Sequence, residues 1–485
     1  MKQHTVTFEP THVVVTVEQG TSLLRAQILA GLNVDAPCGG NGTCGKCRVL
    51  VDGQQVLACK TCVDRDMTVW YTPQSDSQIL TGGISAQLQP DGTCAYVFAV
   101  DLGTTTMVLY LLSGTTGEVL AKSSCLNPQR RFGADVISRV EYALAGNGRQ
   151  LQAVVWEAIS ALLQTAAEKA GVSLQKIGGG CIVGNTAMQH LLLNLDTKPL
   201  VTPPYMPSVS EALVVEASAY LPIRGSLRIL PNIAGFVGGD TVACMKAVDF
   251  DGLEEITLLV DIGTNGEMVL GDKTRAVACS TAAGPAFEGA KISCGMRGEI
   301  GAVDHVFLKD GQVSYHVIGD VPAKGLCGSG VLDLIAVLLD LGVIDDSGYM
   351  RGKSYRLGDS EVVLTQKDVR EVQLAKAAIF AGIHLLAEHR GISVDEIRRV
   401  LLAGAFGNYM DPVSACRIGM IPECLQDRIR LVGNAAGEGA KACALSEAEF
   451  LHTSQIARQT EFLELATRPN FQDCYVDALA FGEDD

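Results

Sequence analysis

Four cysteines near the amino terminus have the residue type and the spacing of a metal-cluster site. Their spacing is C-x5-C-x2-C-x11-C, and they are Cys38, Cys44, Cys47 and Cys59. Four thiolates are the usual ligand set of an iron–sulfur cluster. Glycine fills most of the space between the first three cysteines, and glycine gives a loop the freedom to bring its amides close to bound sulfide. The pattern therefore predicts an electron-carrying cluster.

The details of the spacing indicate the cluster type and the fourth ligand. The first three cysteines span one residue more than the plant-type C-x4-C-x2-C run, so the pattern is that of a [2Fe–2S] ferredoxin. Residues 55–59 read as a strand that ends at Cys59, whereas Cys62 lies beyond it. We therefore prefer Cys59 as the fourth ligand and keep Cys62 as the alternative.

Zinc binding and disulfide bonds are the other interpretations of these cysteines. Zinc sites usually contain two short C-x2–4-C pairs, which differ from this run. Disulfides suit secreted proteins, but residues 1–30 show neither the basic start nor the apolar run of a signal peptide. The remaining cysteines are scattered singly and read as thiols of a reducing cytoplasm. We therefore expect a cytoplasmic protein.

Length and composition limit the function classes further. The chain has 485 residues, enough for about three domains. Its net charge is −16, without a lysine–arginine cluster, which disfavours nucleic-acid binding. The most apolar stretch, 331–344, contains two aspartates and is too short to span a membrane. An acidic surface commonly helps a redox protein to dock a basic partner.

The composition and the hydrophobic pattern of the sequence change twice along the chain. Residues 1–71 predict a small mixed sheet with one helix over 22–31. Residues 72–94 are rich in Pro, Gly, Ser and Gln and are interpreted as a linker. From residue 95 onward, apolar strands end in glycine–threonine turns and alternate with long helices, which indicates an α/β architecture.

Two turns in this second part resemble each other. Asp101-Leu-Gly-Thr-Thr-Thr106 and Asp261-Ile-Gly-Thr-Asn-Gly-Glu267 each connect two apolar, antiparallel strand runs. Successive N–H groups and threonine hydroxyls in such a turn can hold phosphate oxygens, and the aspartate can hold Mg²⁺ directly or through water. A single turn of this kind is weak evidence, because aspartate–glycine turns are common in ordinary β-hairpins. A pair, opening sections 95–255 and 256–485, predicts two related nucleotide-binding lobes.

Later glycine motifs support a phosphate or nucleotide site. Gly404, Gly407 and Gly433 lie in two further strand-to-glycine turns. The run 325–330 precedes a helix predicted over 331–341, and the free amides of a helix N-terminus suit phosphate. The sequence contains no P-loop and no convincing dinucleotide-binding G-x-G-x-x-G unit.

These motifs together resemble a known family. The two D-x-G-T turns are similar to the phosphate loops of the superfamily of acetate and sugar kinases, heat-shock chaperones and actin, in which two lobes clamp ATP. A [2Fe–2S] domain before such a lobe pair resembles the reductive activators of corrinoid-dependent enzymes. Further runs extend the resemblance over essentially the whole chain: Asn127–Gln129, Gly133–Arg139, Gly184–His190, Ile233–Asp240 and Gly284–Gly289.

The resemblance implies an α/β multidomain protein, with a β-grasp-like ferredoxin domain followed by a two-lobed, actin-like and RNase H-like ATPase. Two departures leave the partner's identity open. Longer members carry an extra domain between the ferredoxin and ATPase portions, where this chain has only the linker. Some relatives carry additional clusters near the C-terminus, whereas Cys474 stands alone here.

The implied activity is ATP-dependent reduction of a corrinoid protein from inactive Co(II) to Co(I), which works in methyl transfer. This reduction needs a more reducing electron than a plant-type cluster near −400 mV offers, so transfer has to be coupled to ATP. The implied cofactors are a [2Fe–2S] cluster, ATP and Mg²⁺. The implied partners are a corrinoid protein of a methyltransferase system and a low-potential electron donor protein, and a homodimer is possible.

The resemblance also assigns roles to motif residues. Asp101 and Asp261 organise Mg²⁺ and the attacking water, and Asp261 is the better candidate for positioning that water. The residues expected at the phosphates are Thr104, Thr105, Gly263, Thr264 and Asn265. The glycines expected to let the backbone approach the nucleoside are Gly404, Gly407 and Gly433.

Other polar residues are weaker candidates for the nucleotide site. Glu267 and Glu288 are second-line candidates that read equally well as solvated turn charges. The residues expected to face the cleft or the partner are Asn185, Thr186 and Asp240. His190 reads as a helix-surface or core histidine rather than as a cobalt ligand.

Three alternative functions remain open on the sequence. Activators of 2-hydroxyacyl-CoA dehydratases have similar lobes but hold a [4Fe–4S] cluster at a dimer interface, for which this chain shows no matching cysteine pair. A small-molecule kinase with a redox-sensing ferredoxin domain would consume an acceptor together with ATP. A binding module would use the nucleotide only to gate association with a partner.

Overall fold

A computed structural model describes residues 2–32, 36, 40, 42, 47–71, 88–404 and 409–482. Three predicted site residues, Cys38, Cys44 and Gly407, lie outside this described part, as do residues 72–87 of the predicted linker. No helix within these ranges combines the length and the apolarity needed to cross a membrane.

The amino-terminal sheet has five strands and is packed by one helix. Its elements are β1 (Gln3–Glu9), β2 (Val13–Glu18), α1 (Leu23–Leu29), β3 (Arg48–Val51), β4 (Gln54–Leu57) and β5 (Met67–Trp70). The strand order is β2-β1-β5-β3-β4, with only β1 and β5 parallel among these pairs. The predicted small mixed sheet is confirmed. The helix begins after Ser22, whose hydroxyl accepts the Arg25 N–H at 3.2 Å as an N-cap.

The first lobe is built on a six-stranded sheet. Its elements are β6 (Tyr96–Leu102), β7 (Thr106–Ser113), β8 (Val119–Leu126), α2 (Val136–Tyr142), α3 (Gly148–Ala170), β9 (Ile177–Val183), α4 (Thr186–Leu193), β10 (Leu213–Glu216), β11 (Ser226–Ile229) and α5 (Gly239–Ala247). The strand order is β10-β11-β9-β6-β7-β8, with β11, β9 and β6 parallel. Residues 97–100 of β6 are all buried, as expected for a strand that is covered on both faces.

The second lobe repeats this core and adds an insertion. Its elements are β12 (Thr257–Ile262), β13 (Gly266–Asp272), β14 (Arg275–Thr281), β15 (Ala302–Lys309), β16 (Gln312–Val317), β17 (Gly325–Leu326), α6 (Gly328–Asp340), β18 (Ser354–Arg356), β19 (Val363–Thr365), α7 (Gln366–Arg390), β20 (Arg399–Ala403), α8 (Pro412–Arg417), β21 (Ile429–Gly433), α9 (Ala435–Leu445), α10 (Glu447–Gln459), β22 (Thr460–Phe462) and α11 (Phe471–Asp477). The order β21-β20-β12-β13-β14 matches β11-β9-β6-β7-β8 strand for strand. The two predicted related lobes are therefore present, and each D-x-G-T run is a turn between antiparallel strands.

Helix α6 begins at Gly328, three residues before the predicted start at Val331. A Cβ on Gly330 would overlap the carbonyl oxygen of Val303 in β15. The Ser329 hydroxyl also donates to the Asp304 carbonyl oxygen, at 2.7 Å. Close packing of α6 on β15 therefore accounts for a glycine that the sequence interpreted as part of a phosphate-binding turn.

Helices α5 and α9 cross between the two sheets. A Cβ on Gly439 of α9 would overlap the carbonyl oxygen of Ala243 in α5, so glycine allows these helices to approach closely. Ala99 of β6, Leu259 of β12 and Ala243 belong to one buried apolar cluster. The core between the lobes is therefore continuous across both sheets.

The end of the predicted linker is attached to the second lobe. The Asp91 N–H donates to the Leu445 carbonyl oxygen at 3.0 Å, and the Asp91 carboxylate accepts the Glu447 N–H at 2.6 Å. Leu88 packs against the cluster between the lobes. Residues 88–91 thus follow the surface where α9 meets α10.

Candidate nucleotide cleft and cluster site

The turn between β6 and β7 is held in place by three buried side chains. Asn127 Nδ2 donates to the Gly103 carbonyl oxygen at 2.8 Å, and Arg139 Nη2 donates to the Thr104 carbonyl oxygen at 2.6 Å. Asn185, the N-cap of α4, donates to Thr104 Oγ1 at 2.9 Å. Each bond uses an oxygen of the turn as the acceptor, so none of them occupies a backbone N–H group that could bind phosphate.

The matching turn of the second lobe meets the first turn across the cleft. The Gly263 N–H donates to the Asn265 carbonyl oxygen at 2.9 Å. The hydroxyl oxygens of Thr105 and Thr264 lie 3.4 Å apart. Glu288 accepts a hydrogen bond from each of them, at 2.7 Å from Thr105 and 3.0 Å from Thr264. The structure therefore brings the two predicted phosphate-binding turns together around one carboxylate.

Four acidic side chains surround this pair of turns, and their pKa values are all raised. Burial is the main cause, and it raises the pKa of Asp101 to about 6 and that of Asp240 to about 7. Burial also raises the pKa of Asp261 and of Glu267. Repulsion from Asp261 adds to the rise at the other three groups. Concentrated negative charge of this kind favours a bound cation.

Mg²⁺ is the cation that the sequence predicts at these acidic residues. Throughout the described ranges, no three His, Cys, Asp or Glu side chains are placed to ligate a metal ion together. Mg²⁺ usually keeps several water ligands and takes only one or two carboxylates together with substrate phosphates. The raised carboxyl pKa values and the adjoining threonine turns therefore fit Mg²⁺ held through water and phosphate oxygens.

The raised pKa of Asp240 predicts a pH-dependent stability. A carboxyl group that binds its proton more tightly in the folded chain than in the unfolded chain favours folding at low pH, and this contribution is lost as pH rises through its folded pKa. Between pH 3.8 and about 7, one such group lowers the free energy of unfolding by up to about 1.4 kcal/mol per pH unit. We expect Asp240→Asn to flatten this decline in thermal melts recorded without divalent cations.

The control for this prediction is Asp359→Asn, which changes an exposed aspartate of the same lobe pair. That variant should keep the wild-type dependence of the melting temperature on pH. An unchanged dependence in Asp240→Asn would show that another group carries the effect.

Gly404 and Gly433 lie beside the second aspartate. The Gly404 N–H donates to the Gly433 carbonyl oxygen at 2.9 Å. Gly404 has φ +94°, and a Cβ there would lie 2.5 Å from the Ile262 carbonyl oxygen and 2.9 Å from Asp261 Oδ1. Only glycine lets the chain pass this close to Asp261. The nucleoside contact predicted for these glycines stays a prediction.

Replacing Gly404 with alanine should displace Asp261. Asp261 is predicted from the sequence to position the attacking water of ATP hydrolysis. Because the added Cβ would lie 2.9 Å from Asp261 Oδ1, this prediction implies a fall in ATP hydrolysis of about 10²-fold, as for a 1 Å misplacement. Gly391→Ala is the matched control, because Gly391 also has a positive φ, +71°, but no atom within 4 Å of the added Cβ. Equal losses of activity in the two variants would attribute the effect to backbone strain alone.

Two of the four predicted cluster ligands lie in the described part of the chain. Cys47 is buried and Cys59 is partly buried. Gly40 has φ +91°, and a Cβ on it would lie 3.7 Å from the Cβ of Cys59, so Gly40 lies beside Cys59. Cys62 is exposed, and its backbone pairs with Ser22 in an isolated bridge. A glycine of the loop packed beside Cys59 fits a cluster held by the loop and Cys59.

Two residues at the site were missed from the sequence. Asn434, the N-cap of α9, donates to Asp101 Oδ2 at 2.8 Å. Cys244 of α5 donates from its thiol to Asp261 Oδ2 at 3.5 Å. An asparagine before a helix is a readable N-cap pattern. A cysteine in an apolar helix reads simply as a buried residue.

His190 and Thr186 are structural residues of α4. His190 is fully buried, with Nδ1 2.7 Å from the Thr186 carbonyl oxygen and Nε2 accepting the Ser208 N–H at 3.0 Å. This agrees with the expectation of a core histidine. Thr186 is also fully buried, and its hydroxyl donates to the Ala234 carbonyl oxygen at 2.7 Å. The expectation that Thr186 faces the cleft or a partner is therefore wrong.

Family models match three parts of the chain. A 2Fe-2S iron-sulfur cluster binding domain matches residues 6–69. The RACo middle region matches residues 96–252. The C-terminal domain of RACo, described as the ASKHA domain after the kinase, chaperone and actin superfamily, matches residues 255–485.

Individual relatives align over most of the chain. The corrinoid activation enzyme RamQ of Eubacterium limosum is 36% identical over 420 residues, which cover 80% of this chain and 70% of that protein. The [Co(II) methylated amine-specific corrinoid protein] reductase of Methanosarcina barkeri is 26% identical over 423 residues. This alignment covers 80% of this chain and 77% of that protein. A solved reductive activator for corrinoid,iron-sulfur protein superposes with a TM-score of 0.75 at 29% identity, covering 99% of each chain.

Proposed function

Because this chain belongs to the family of reductive activators of corrinoid proteins, we propose that it reduces the Co(II) form of a corrinoid protein to Co(I) in an ATP-dependent step. One observation carries this proposal: a [2Fe–2S] domain and a complete two-lobed ATPase fold lie in one chain. A [2Fe–2S] cluster held by the amino-terminal domain would supply one-electron transfer between a low-potential donor protein and the cobalt.

A two-lobed ATPase can supply the free energy that this coupled electron transfer needs. A tenfold change in a one-electron equilibrium corresponds to about 59 mV. Shifting a two-state equilibrium from 1:99 to 99:1 needs about 5.5 kcal/mol, or roughly 240 mV by the same conversion. The protein has to bind the two partner states with different affinity, because equal binding shifts nothing.

The chain's own residues supply the two sites. Cys38, Cys44, Cys47 and Cys59 hold the cluster, and this ligand set is supported by the loop glycine packed beside Cys59. Cys62 is disfavoured because it is exposed and lies three residues beyond Cys59.

The two turns bind the nucleotide phosphates. The hydroxyls of Thr105 and Thr264, which come from different lobes and lie 3.4 Å apart, bind phosphate oxygens together with Thr104, Gly263 and Asn265. Gly404, Gly407 and Gly433 admit the nucleoside.

The acidic residues orient Mg²⁺ and water. Asp101 and Asp261 would hold Mg²⁺, which would neutralise phosphate charge, and Asp261 positions the attacking water. Support comes from the thiol of Cys244, which lies 3.5 Å from Asp261 Oδ2 and fixes one carboxylate oxygen. The other oxygen, Oδ1, faces the space beside Gly404. Asp101 is fixed in a corresponding way by Asn434.

The remaining assignments are proposals at the level of the whole protein. The domains are the ferredoxin domain 1–71, the linker 72–94 and the lobes 95–255 and 256–485. The chain works in the reducing cytoplasm, a proposal based on cysteines that are scattered singly outside the predicted cluster motif. Its net charge of −16 favours docking to basic surfaces of partners. A homodimer is proposed from the family resemblance.

Cobalt reduction by the purified protein tests this function. The chain is reconstituted anaerobically and mixed with a Co(II) corrinoid protein, a low-potential reductant and Mg-ATP. Appearance of the Co(I) absorption spectrum is expected. Consumption of ATP with a small-molecule acceptor, and no Co(I) with any corrinoid protein, would contradict the proposal and favour a kinase.

A further inference from the structure

Glu288 connects the two lobes at the point where phosphate is expected to bind. Its Oε2 accepts from the Thr105 hydroxyl at 2.7 Å, and its Oε1 accepts from the Thr264 hydroxyl at 3.0 Å. Thr105 belongs to the first lobe, and Thr264 and Glu288 belong to the second. One carboxylate therefore uses a donor from each phosphate-binding turn.

The backbone that carries Glu288 is firmly anchored in the second lobe. Glu288 ends a 3₁₀ turn, Pro285–Glu288, in which Ala286 and Phe287 are each only 2% exposed. Gly289, directly after it, has φ +72°, and a Cβ there would overlap the carbonyl oxygen of Met296. Rotation of the Glu288 side chain is therefore easier than movement of the turn.

A phosphate and the Glu288 carboxylate have the same requirements. Both are anions that accept hydrogen bonds, and both need the hydroxyl donors of Thr105 and Thr264. A carboxylate cannot donate to a phosphate when both are ionised, and two like charges at contact distance repel each other. The two anions therefore compete for one pair of donors.

We propose that Glu288 is a specificity-determining residue that competes with the terminal phosphate of ATP for the hydroxyls of Thr105 and Thr264. This inference rests on the proposed ATP-dependent function. When the terminal phosphate binds, the Glu288 side chain turns away and the phosphate takes over the connection between the lobes. When that phosphate is lost, the carboxylate restores the connection. Glu288 thus lowers the preference of the cleft for ATP over ADP and exchanges one bridge between the lobes for another.

Nucleotide affinities measured by calorimetry test this competition. Glu288→Gln keeps the side-chain shape but removes its charge, and Glu288→Ala removes both oxygens. We expect the Kd for Mg-ATP to fall by about tenfold in both variants, the equivalent of one net hydrogen bond to a charged group. The Kd for Mg-ADP should stay within about twofold of wild type. Glu254→Gln, which alters an ion-paired carboxylate that is 74% exposed, should change neither value.

Each other outcome has a definite meaning. An unchanged or weaker affinity for ATP in the Glu288 variants would overturn the inference, and weaker binding would make Glu288 a group that holds the nucleotide or its cation. Equal tightening of ATP and ADP would overturn the assignment to the terminal phosphate. Absence of ATP binding by the wild-type chain would contradict the proposed function itself, and the inference with it.

Discussion

Asp261→Asn is expected to lower ATP hydrolysis by about 10²–10⁴-fold, the range for loss of a group that orients or accepts a proton. Asp261 is the last residue but one of the strand β12, and the Cys244 thiol contacts its Oδ2 at 3.5 Å. An amide at this position keeps the side-chain shape but accepts a proton from water far less readily. ATP turnover by the purified chain measures the loss.

Asp261→Asn also distinguishes loss of the nucleotide site from loss of the iron–sulfur cluster. Its visible iron–sulfur spectrum should match that of wild type, because the predicted cluster ligands all precede residue 60. Asp310→Asn is the matched control: Asp310 is exposed in the turn between β15 and β16 and has φ +51°, a conformation that asparagine also adopts readily. Near-normal ATP turnover in Asp261→Asn would show that another residue positions the water.

Cys59→Ser is expected to remove most of the [2Fe–2S] absorbance and, with it, cobalt reduction. The loop glycine Gly40 lies against Cys59, and an iron–sulfur cluster of this type depends on all four of its protein ligands. Iron content and the visible spectrum after anaerobic reconstitution measure the effect. ATP hydrolysis in the absence of a partner should persist, because the nucleotide turns lie in the lobes.

The control for this variant is Cys62→Ser, three residues further along the chain. Cys62 is exposed, and its backbone pairs with Ser22, so a serine there should leave the spectrum unchanged. If Cys62→Ser destroys the cluster while Cys59→Ser preserves it, Cys62 is the fourth ligand.

Much of the fold could be predicted from the sequence because short, local runs of residues specify its hairpins. Asp101 and Asp261 each stand where a buried strand meets a glycine–threonine turn, and such a run specifies a hairpin without reference to the rest of the chain. The start of α6 was misjudged because glycine and serine have low helix propensity. Packing against β15, which the sequence does not display, extends that helix to Gly328.

The details of the site depend on contacts between distant residues. Glu288 bonds a hydroxyl 183 residues away, and Asn434 bonds Asp101 across 333 residues. In the sequence Glu288 reads equally well as a turn charge, because only the fold reveals which hydroxyls surround it. Thr186 was misplaced for the same reason: a threonine that follows an N-cap can face a cleft or fill a core, and here it fills the core.

The fraction of Co(I) reached with and without ATP, at one fixed reductant potential, tests the central claim most directly. The wild-type chain is compared with Asp261→Asn on the same Co(II) corrinoid protein. We predict that ATP raises the Co(I):Co(II) ratio by up to about 10⁴-fold, the range of a shift from 1:99 to 99:1, and that Asp261→Asn abolishes this rise. An equal ratio with and without ATP in the wild-type chain would contradict ATP-driven electron transfer.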